Sequence, residues 1–418
     1  MAIAVWGMVA SFGTYACMYG FRKPFSAAAF TGSDFPAGFK VWLVSAQVLG
    51  YTLSKFIGIR VIASMPPGRR TLALLSLVGA AELALVLFAV LPAPYNVVCL
   101  FLNGLPLGMV FGLVLGFLEG RRMTEALVAG LCTSFILADG FSKTVGTALL
   151  ERGVTERWMP ATAGLLFLAP LLGFVWMLRR IPPPDAADTQ ARSVRSPMTR
   201  EDRARWIRRH GPGLGLISLA YLLVTVVRSL RADFAPELWR ALGATVQAKD
   251  FTRSELWVAL GVLAVNGAAS FVRGNRRSFF LSLGISLAGL LLGIATLFVH
   301  QGGSMDAFAF MVLLGLGLYL PYVAVHTTVF ERLIAMTRDQ GNIGFLMYLA
   351  DACGYLGYVG VMTFRLGSGP SSDLLGFFRT TSLTALILAV VAIVLAARFF
   401  SGPRYEEVRT EGDEVTSP

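Results

Sequence analysis

The chain is poor in charge, in lysine and histidine, and in every residue spacing that marks an active centre. Charged residues make up only 15% of its 418 positions, where a soluble domain carries about 25%. With 55% hydrophobic residues and a mean hydropathy of +0.66, a soluble globular chain and a disordered one are both excluded. The four cysteines, Cys17, Cys99, Cys132 and Cys353, are scattered through apolar segments without a C-x-x-C spacing. Neither a disulfide framework nor a metal site is therefore expected. The three histidines and the few acids inside apolar runs make no catalytic or metal-binding pattern, and no phosphate-binding loop is present, so the sequence reads as no enzyme and carries no cofactor. Five lysines against thirty-one arginines, with abundant Ala and Gly, point to a GC-rich bacterial source.

What the chain has in abundance is long apolar runs. A spanning helix takes roughly 20 apolar residues, and twelve such runs can be drawn. They cover 2–30, 39–62, 71–91, 95–118, 124–150 and 161–178, then 214–235, 255–272, 278–299, 306–333, 343–364 and 374–397. The reading is an all-α integral membrane protein of twelve transmembrane helices. No charged n-region precedes the first run, so it is read as a span and not as a cleaved leader.

Arginine then sets the orientation, because cytoplasmic loops retain basic residues. Arg60, Arg69 and Arg70 follow the second run, Arg121 and Arg122 the fourth, Arg273, Arg276 and Arg277 the eighth, and Arg332 and Arg338 the tenth. The loops between are poorer in them, which puts both termini in the cytoplasm of an inner membrane. The longest connection, 179–210, holds nine arginines against four acids, a net +5. Its Pro/Ala/Asp-rich first part reads as a flexible linker. Its second part opens with Thr199-x-x-Asp202, a capping box, and reads as a short basic helix on the anionic inner leaflet. That placement accounts for the net charge of +11 without nucleic acid; the partners implied are the lipid bilayer and a small anionic solute, on a monomeric chain.

The two sets of six runs repeat. Tyr15 and Arg22 recur as Tyr221 and Arg228, while Glu119 and Leu137-Ala138-Asp139 recur as Glu331 and Leu349-Ala350-Asp351. The domains are therefore an N-terminal six-helix bundle (1–178), a basic cytoplasmic linker (179–211), a C-terminal bundle (212–398) and a tail (399–418). A ligand site is expected where the bundles meet, near the bilayer midplane.

Charges inside the runs are costly, about 2.5–3.5 kcal/mol for an Arg near a helix centre on insertion scales. Arg22 and Arg228, related by the repeat, would face each other across a central cavity. Two guanidiniums repel unless an anion sits between them, and their planar forks suit phosphate or carboxylate oxygens. The plainer alternative is that each ends its span, snorkelling to headgroups or pairing with Asp34 or Asp233. Asp139 and Lys143 form an i,i+4 pair able to neutralise itself. Asp351 has no cation close in sequence, which makes it the better candidate for proton coupling; the alternative for both acids is a buried polar contact. His326 is read either as lining the cavity or as a packed histidine. Glu119 and Glu331, with the Arg60 and Arg273 clusters, are read as cytoplasmic gate pairs. Glu82 is assigned no role. The glycine stripes from Gly104 to Gly112 and from Gly354 to Gly360 read as helix-packing faces.

Taken together, the chain resembles a major facilitator superfamily transporter. Tyr15-x3-Tyr19-x2-Arg22-Lys23-x-Phe25, Ser54-Lys55-Phe56-Ile57, Arg228-x4-Asp233-Phe234-x-Pro236 and Gly354-Tyr355-Leu356-Gly357 resemble its organophosphate:inorganic phosphate antiporter branch. The resemblance implies that Arg22 and Arg228 form a phosphate site, with Tyr19, Lys23, Tyr355 and His326 beside them as substrate-binding residues. It departs in lacking the branch's histidine on helix five, where Ile136-Leu137-Ala138-Asp139 stands, and the Asp of the loop after the second run. The function implied is secondary transport of a small organic anion, in its narrowest form a phosphate ester. The rivals are a proton-coupled carrier of another solute and a transporter-shaped sensor.

Overall fold

The computed structural model describes residues 2–31, 33–63, 65–118, 124–182, 200–269, 271–272, 274–337, 343–367 and 373–402. Its long helices are α1 (Ala2–Gly20), α2 (Phe39–Ala63), α3 (Arg70–Val90), α4 (Val97–Leu118), α5 (Thr124–Glu151), α6 (Met159–Arg179) and α7 (Arg200–Asp233). After the short α8 (Ala235–Ala241) come α9 (Ala248–Ala269), α10 (Asn275–Gln301) and α11 (Ala307–Ala324), then the short α12 (Phe330–Thr337), α13 (Ile343–Gly367) and α14 (Leu374–Ser401). Each of the twelve apolar runs holds one long helix.

Composition sorts these helices by position. Among the described residues, seven segments are long and apolar enough to cross a membrane, falling on α3, α4, α6, α7, α10, α11 with α12, and α14. Four of the others, α2, α5, α9 and α13, carry Lys55, Asp139 with Lys143, Glu255, and Asp351. Those four form the seam between the halves, α2 packing on α13 and α5 on α9. Within each half, α1 packs on α5 and α6, and α7 on α13 and α14. The apolar windows of α3, α6, α10 and α14 are only 39–44% buried, against 67–72% for α4, α7 and α11. The first set therefore lies at the rim, where a helix that meets hydrocarbon gains nothing from burial, and the second lies inside. This is the major facilitator fold.

Four expectations need correction. The first run is not one helix: α1 stops at Gly20, and Pro24 starts a 3-10 turn, Pro24–Ala27. A Cβ at Gly20 would lie 2.1 Å from the Phe167 ring of α6, and Pro24 has no N–H to continue the ladder. Arg22 and Lys23 hang in the turn between, their amides bonded to the Tyr19 carbonyl at 3.0 and 2.8 Å. The second correction is that the basic segment before the seventh run is not a separate surface helix. From Arg200 it is the first part of α7, continuous through Pro212 to Asp233. The capping Thr199 and the linker from 183 lie outside the described residues.

Third, the tenth run is interrupted by a π-helical turn, Val325–Val329, which carries His326 and re-aims it. Fourth, only part of one glycine stripe packs. Cβ atoms at Gly104 and Gly108 would lie 2.1 and 2.6 Å from the Gln47 and Tyr51 carbonyls, so α2 and α4 meet backbone to backbone. Gly354 and Gly357 likewise meet Thr225 and Leu222 of α7, but Gly360 faces open space.

Candidate functional site

Arg22 and Arg228 are 3% and 7% exposed and line one narrow cavity between the halves. Among the described residues, no acid lies within ion-pair distance of either guanidinium. The buried Nε of each has no hydrogen-bond partner. Their neighbours are aromatic faces: Arg22 lies 3.7 Å from the Tyr51 ring centre, with Tyr355 and Tyr19 at 5.8 and 5.9 Å. Arg228 lies 4.3 Å from Tyr322 and 5.7 Å from Tyr319. A desolvated cation–π contact returns about 2 kcal/mol, against an effective burial penalty of several kcal/mol per ion. The tyrosines position the arginines without balancing them.

The acids that the sequence offered as partners are engaged elsewhere. Asp233 accepts from Lys23 and from the Tyr358 hydroxyl at 3.0 Å, and Asp34 is exposed, 3.9 Å from Arg157. Asp139 does pair with Lys143 on α5, as its spacing implied, and Lys23 adds a third member at 3.7 Å. Lys23, Lys143, Asp139 and Asp233 thus form a neutral quartet beside the arginines. Further along the seam, Lys40 of α2 binds Glu237 of α8 at 2.6 and 2.8 Å. Arg231 meets Glu255 at 2.8 Å inside the second half. With these pairs set aside, the cavity that holds Arg22 and Arg228 keeps two uncompensated positive charges.

A second narrow cavity shares the walls Tyr19 and Tyr355 with the first. Its remaining lining is Tyr15, Tyr51, Lys55, Phe111, Phe135, Tyr322, His326 and Asp351. Here the expectation for Asp351 is overturned: it has a cation, Lys55 of α2, at 2.7 Å. It also accepts from the Tyr221 hydroxyl and lies 3.6 Å from His326 Nε2. Sequence distance hid this partner, since the two residues are 296 positions apart and meet only across the seam.

The structure therefore brings Arg22, Arg228, Tyr19, Lys23, Asp139 and Tyr355 around one cavity, with Lys143 in ion-pair contact with Asp139, and brings His326, Asp351, Tyr19 and Tyr355 around its neighbour. Lys23 lines the first, but its ammonium is spent on Asp233. Of the gate residues, Glu331 lies in the first turn of α12; Glu119, Arg273 and the Arg60 side chain lie outside the described residues. Glu82 is half-buried, its carboxylate against Gly164 of α6 without a hydrogen-bond partner. Sequence reasoning missed Lys55, Tyr51, Tyr322 and the brace Gln47–Asn103. Gln47 donates to the Arg22 carbonyl at 2.9 Å and to Asn103 at 2.8 Å, and Asn103 donates to the Phe21 carbonyl at 3.0 Å. This brace satisfies the broken end of α1. A lysine and two amides in mid-run were the available signal, by the same insertion cost that singled out Arg22.

Several solved transporters share this fold. The chain superposes on a nucleoside transporter, NupG, with a TM-score of 0.62 at 13% identity, covering 96% of this chain and 100% of that one. A bacterial homologue of the human lysosomal transporter Spinster, in an inward-facing and unoccupied conformation, gives 0.60 at 14% identity, covering 98% and 97%. A D-xylose–proton symporter gives 0.61 at 14%, covering 95% and 96%. At such identities the likeness concerns the fold and not the solute. No curated protein matches the sequence. A described family does match residues 24–402, which run from the 3-10 turn to the end of α14 and leave out α1 and Arg22, and the chain belongs to it: the family of unknown function DUF5690.

Proposed function

We propose that this protein is a secondary transporter of a small organic anion, working by alternating access, with the anion held between Arg22 and Arg228. In its narrower form the substrate is a phosphate ester. The observation that carries the reading is the contrast in pairing. Asp139, Asp233, Asp351 and Glu237 have lysine partners, Lys143, Lys23, Lys55 and Lys40, and Glu255 has Arg231, while Arg22 and Arg228 have no acid partner among the described residues. A solute anion is the group that would complete them, and because Arg22 belongs to the first half and Arg228 to the second, it would draw the halves together. Inter-half pairs such as Lys40–Glu237 and Lys55–Asp351 would then break and re-form as the halves rock, with Glu119, Glu331, Arg60 and Arg273 closing the cytoplasmic end. The protein works as a monomer in an inner membrane with both termini cytoplasmic, the halves being 1–178 and 212–398. The proton-coupled rival loses its main support now that Asp351 has Lys55 beside it.

Counterflow in proteoliposomes tests this. Vesicles loaded with phosphate or an organic anion are expected to accumulate labelled anion from outside, and Arg22→Ala or Arg228→Ala to abolish the accumulation. Counterflow that survives both substitutions, or is absent across a broad anion panel, removes the proposal.

A further inference from the structure

The second cavity of the site has a distinct chemistry. Seven of its ten lining residues are Tyr or Phe. No Asn or Gln lies among them, and Gln47 and Asn103 nearby are consumed by the α1 brace. The cavity's polar groups are the Tyr hydroxyls, His326 and the Lys55–Asp351 pair, which is closed on itself. Flat rings suit this wall, because aromatic faces and edges favour other rings at offset or perpendicular geometry. Tyr19 and Tyr355 line both cavities, so a group seated between them continues into the arginine cavity.

The far end carries an independent sign of a ligand. His326 is 7% exposed, and its buried Nδ1 has no partner among the described residues. Its ring is held by Tyr322 at 4.8 Å, Tyr221 at 5.3 Å and Phe135 at 6.2 Å. Its other nitrogen faces Asp351. The polar atoms without a hydrogen-bond partner around the two cavities are thus the guanidinium Nε atoms of Arg22 and Arg228 and Oδ1 of Asp139, which has Lys23 at 3.7 Å, in one, and Nδ1 of His326 in the other.

Resting on the anion-site reading, we infer that the substrate is an aromatic anion: its phosphate or carboxylate lies between Arg22 and Arg228, its ring between Tyr19 and Tyr355, and a hydroxyl or ring N–H on its far edge meets His326. The phosphate and carboxylate forms share this chemistry, and the test separates them.

Affinities are measured by titration calorimetry on the full chain in detergent. One series is 4-hydroxyphenyl phosphate, phenyl phosphate, cyclohexyl phosphate and inorganic phosphate; the other is 4-hydroxybenzoate, benzoate, cyclohexanecarboxylate and acetate. In the series the protein uses, the aryl anion binds roughly tenfold tighter than its cyclohexyl counterpart, a margin typical of ring–ring contact. Tyr19→Leu and Tyr355→Leu collapse that ratio, and His326→Leu removes the advantage of the hydroxyl. Because the readout is a ratio within one variant, general damage to the fold does not mimic it. Equal binding of aryl, cyclohexyl and simple anions overturns the aromatic assignment and leaves the anion site standing. An aryl preference that survives all three substitutions overturns its placement in this cavity. Absence of binding by every anion of both series removes the anion site and this inference with it.

Discussion

The seam of this protein contains two kinds of buried charge a few residues apart. Lys23 and Arg22 are sequence neighbours in the same turn, yet Lys23 is locked to Asp233 while Arg22 lies on the face of Tyr51 with no acid near it. The same division runs through the whole seam. Four lysines and Arg231 carry the pairs that the protein closes on itself, and Arg22 and Arg228 carry charge left open. Four of the five lysines of the chain are spent in this way. The comparison teaches that a buried charge gains functional meaning from what it is not bonded to: a satisfied pair holds the halves, and an unsatisfied pair waits for a ligand.

The sharpest way to break the comparison is to remove one member of each kind. Arg22→Met and Arg228→Met delete a charge whose partner is the solute, so anion affinity should fall by about 30- to 4,000-fold, the range for truncating one side of a buried charge pair. The melting temperature of the ligand-free protein should not fall. Asp233→Leu leaves buried Lys23 with only Asp139, at 3.7 Å and shared with Lys143, so about 3–5 kcal/mol of stability should be lost in chemical denaturation, with Lys23→Met added to it restoring most of the loss. If the arginine variants destabilise the free protein as much as Asp233→Leu does, the distinction between open and closed charge is wrong.

Smaller effects sharpen the picture. Tyr221→Phe removes a hydroxyl donated to the Asp351 carboxylate and should cost about 1.5–3 kcal/mol, the range for a hydrogen bond to a charged group, in the same denaturation assay. Glu82→Gln, at a half-buried carboxylate with no partner, should stay within about 0.5 kcal/mol of the parent or gain slightly, since neutralising an unpaired acid removes only a burial penalty.

Much of this architecture was legible before any coordinates. Each of the apolar runs holds a helix, because a 20-residue run free of charge has few other uses. The repeat of Tyr15 and Arg22 in Tyr221 and Arg228 pointed to the two arginines on which the proposed anion site is built. What could not be read was any contact across the seam. Lys55 and Asp351 meet by the docking of α2 on α13, and a rule based on spacing within one helix sees only pairs such as Asp139 and Lys143. The break at Gly20 was hidden for a related reason: Phe21 and Phe25 keep the run apolar through the turn, and the signal lay in Pro24 and in the amides of Gln47 and Asn103. The continuous α7 was missed because Gly211-Pro212-Gly213 reads as a stop, although α7 runs through it.

The central claim is that Arg22 and Arg228 together complete one anion site. Its most direct test is thermal stabilisation by saturating anion of the parent protein, of each Arg→Met variant and of the double variant, with the ligand-free melting temperatures measured alongside. The account predicts a clear rise for the parent, none for the other three, and ligand-free values no lower than the parent's. Stabilisation that persists in the double variant would contradict it.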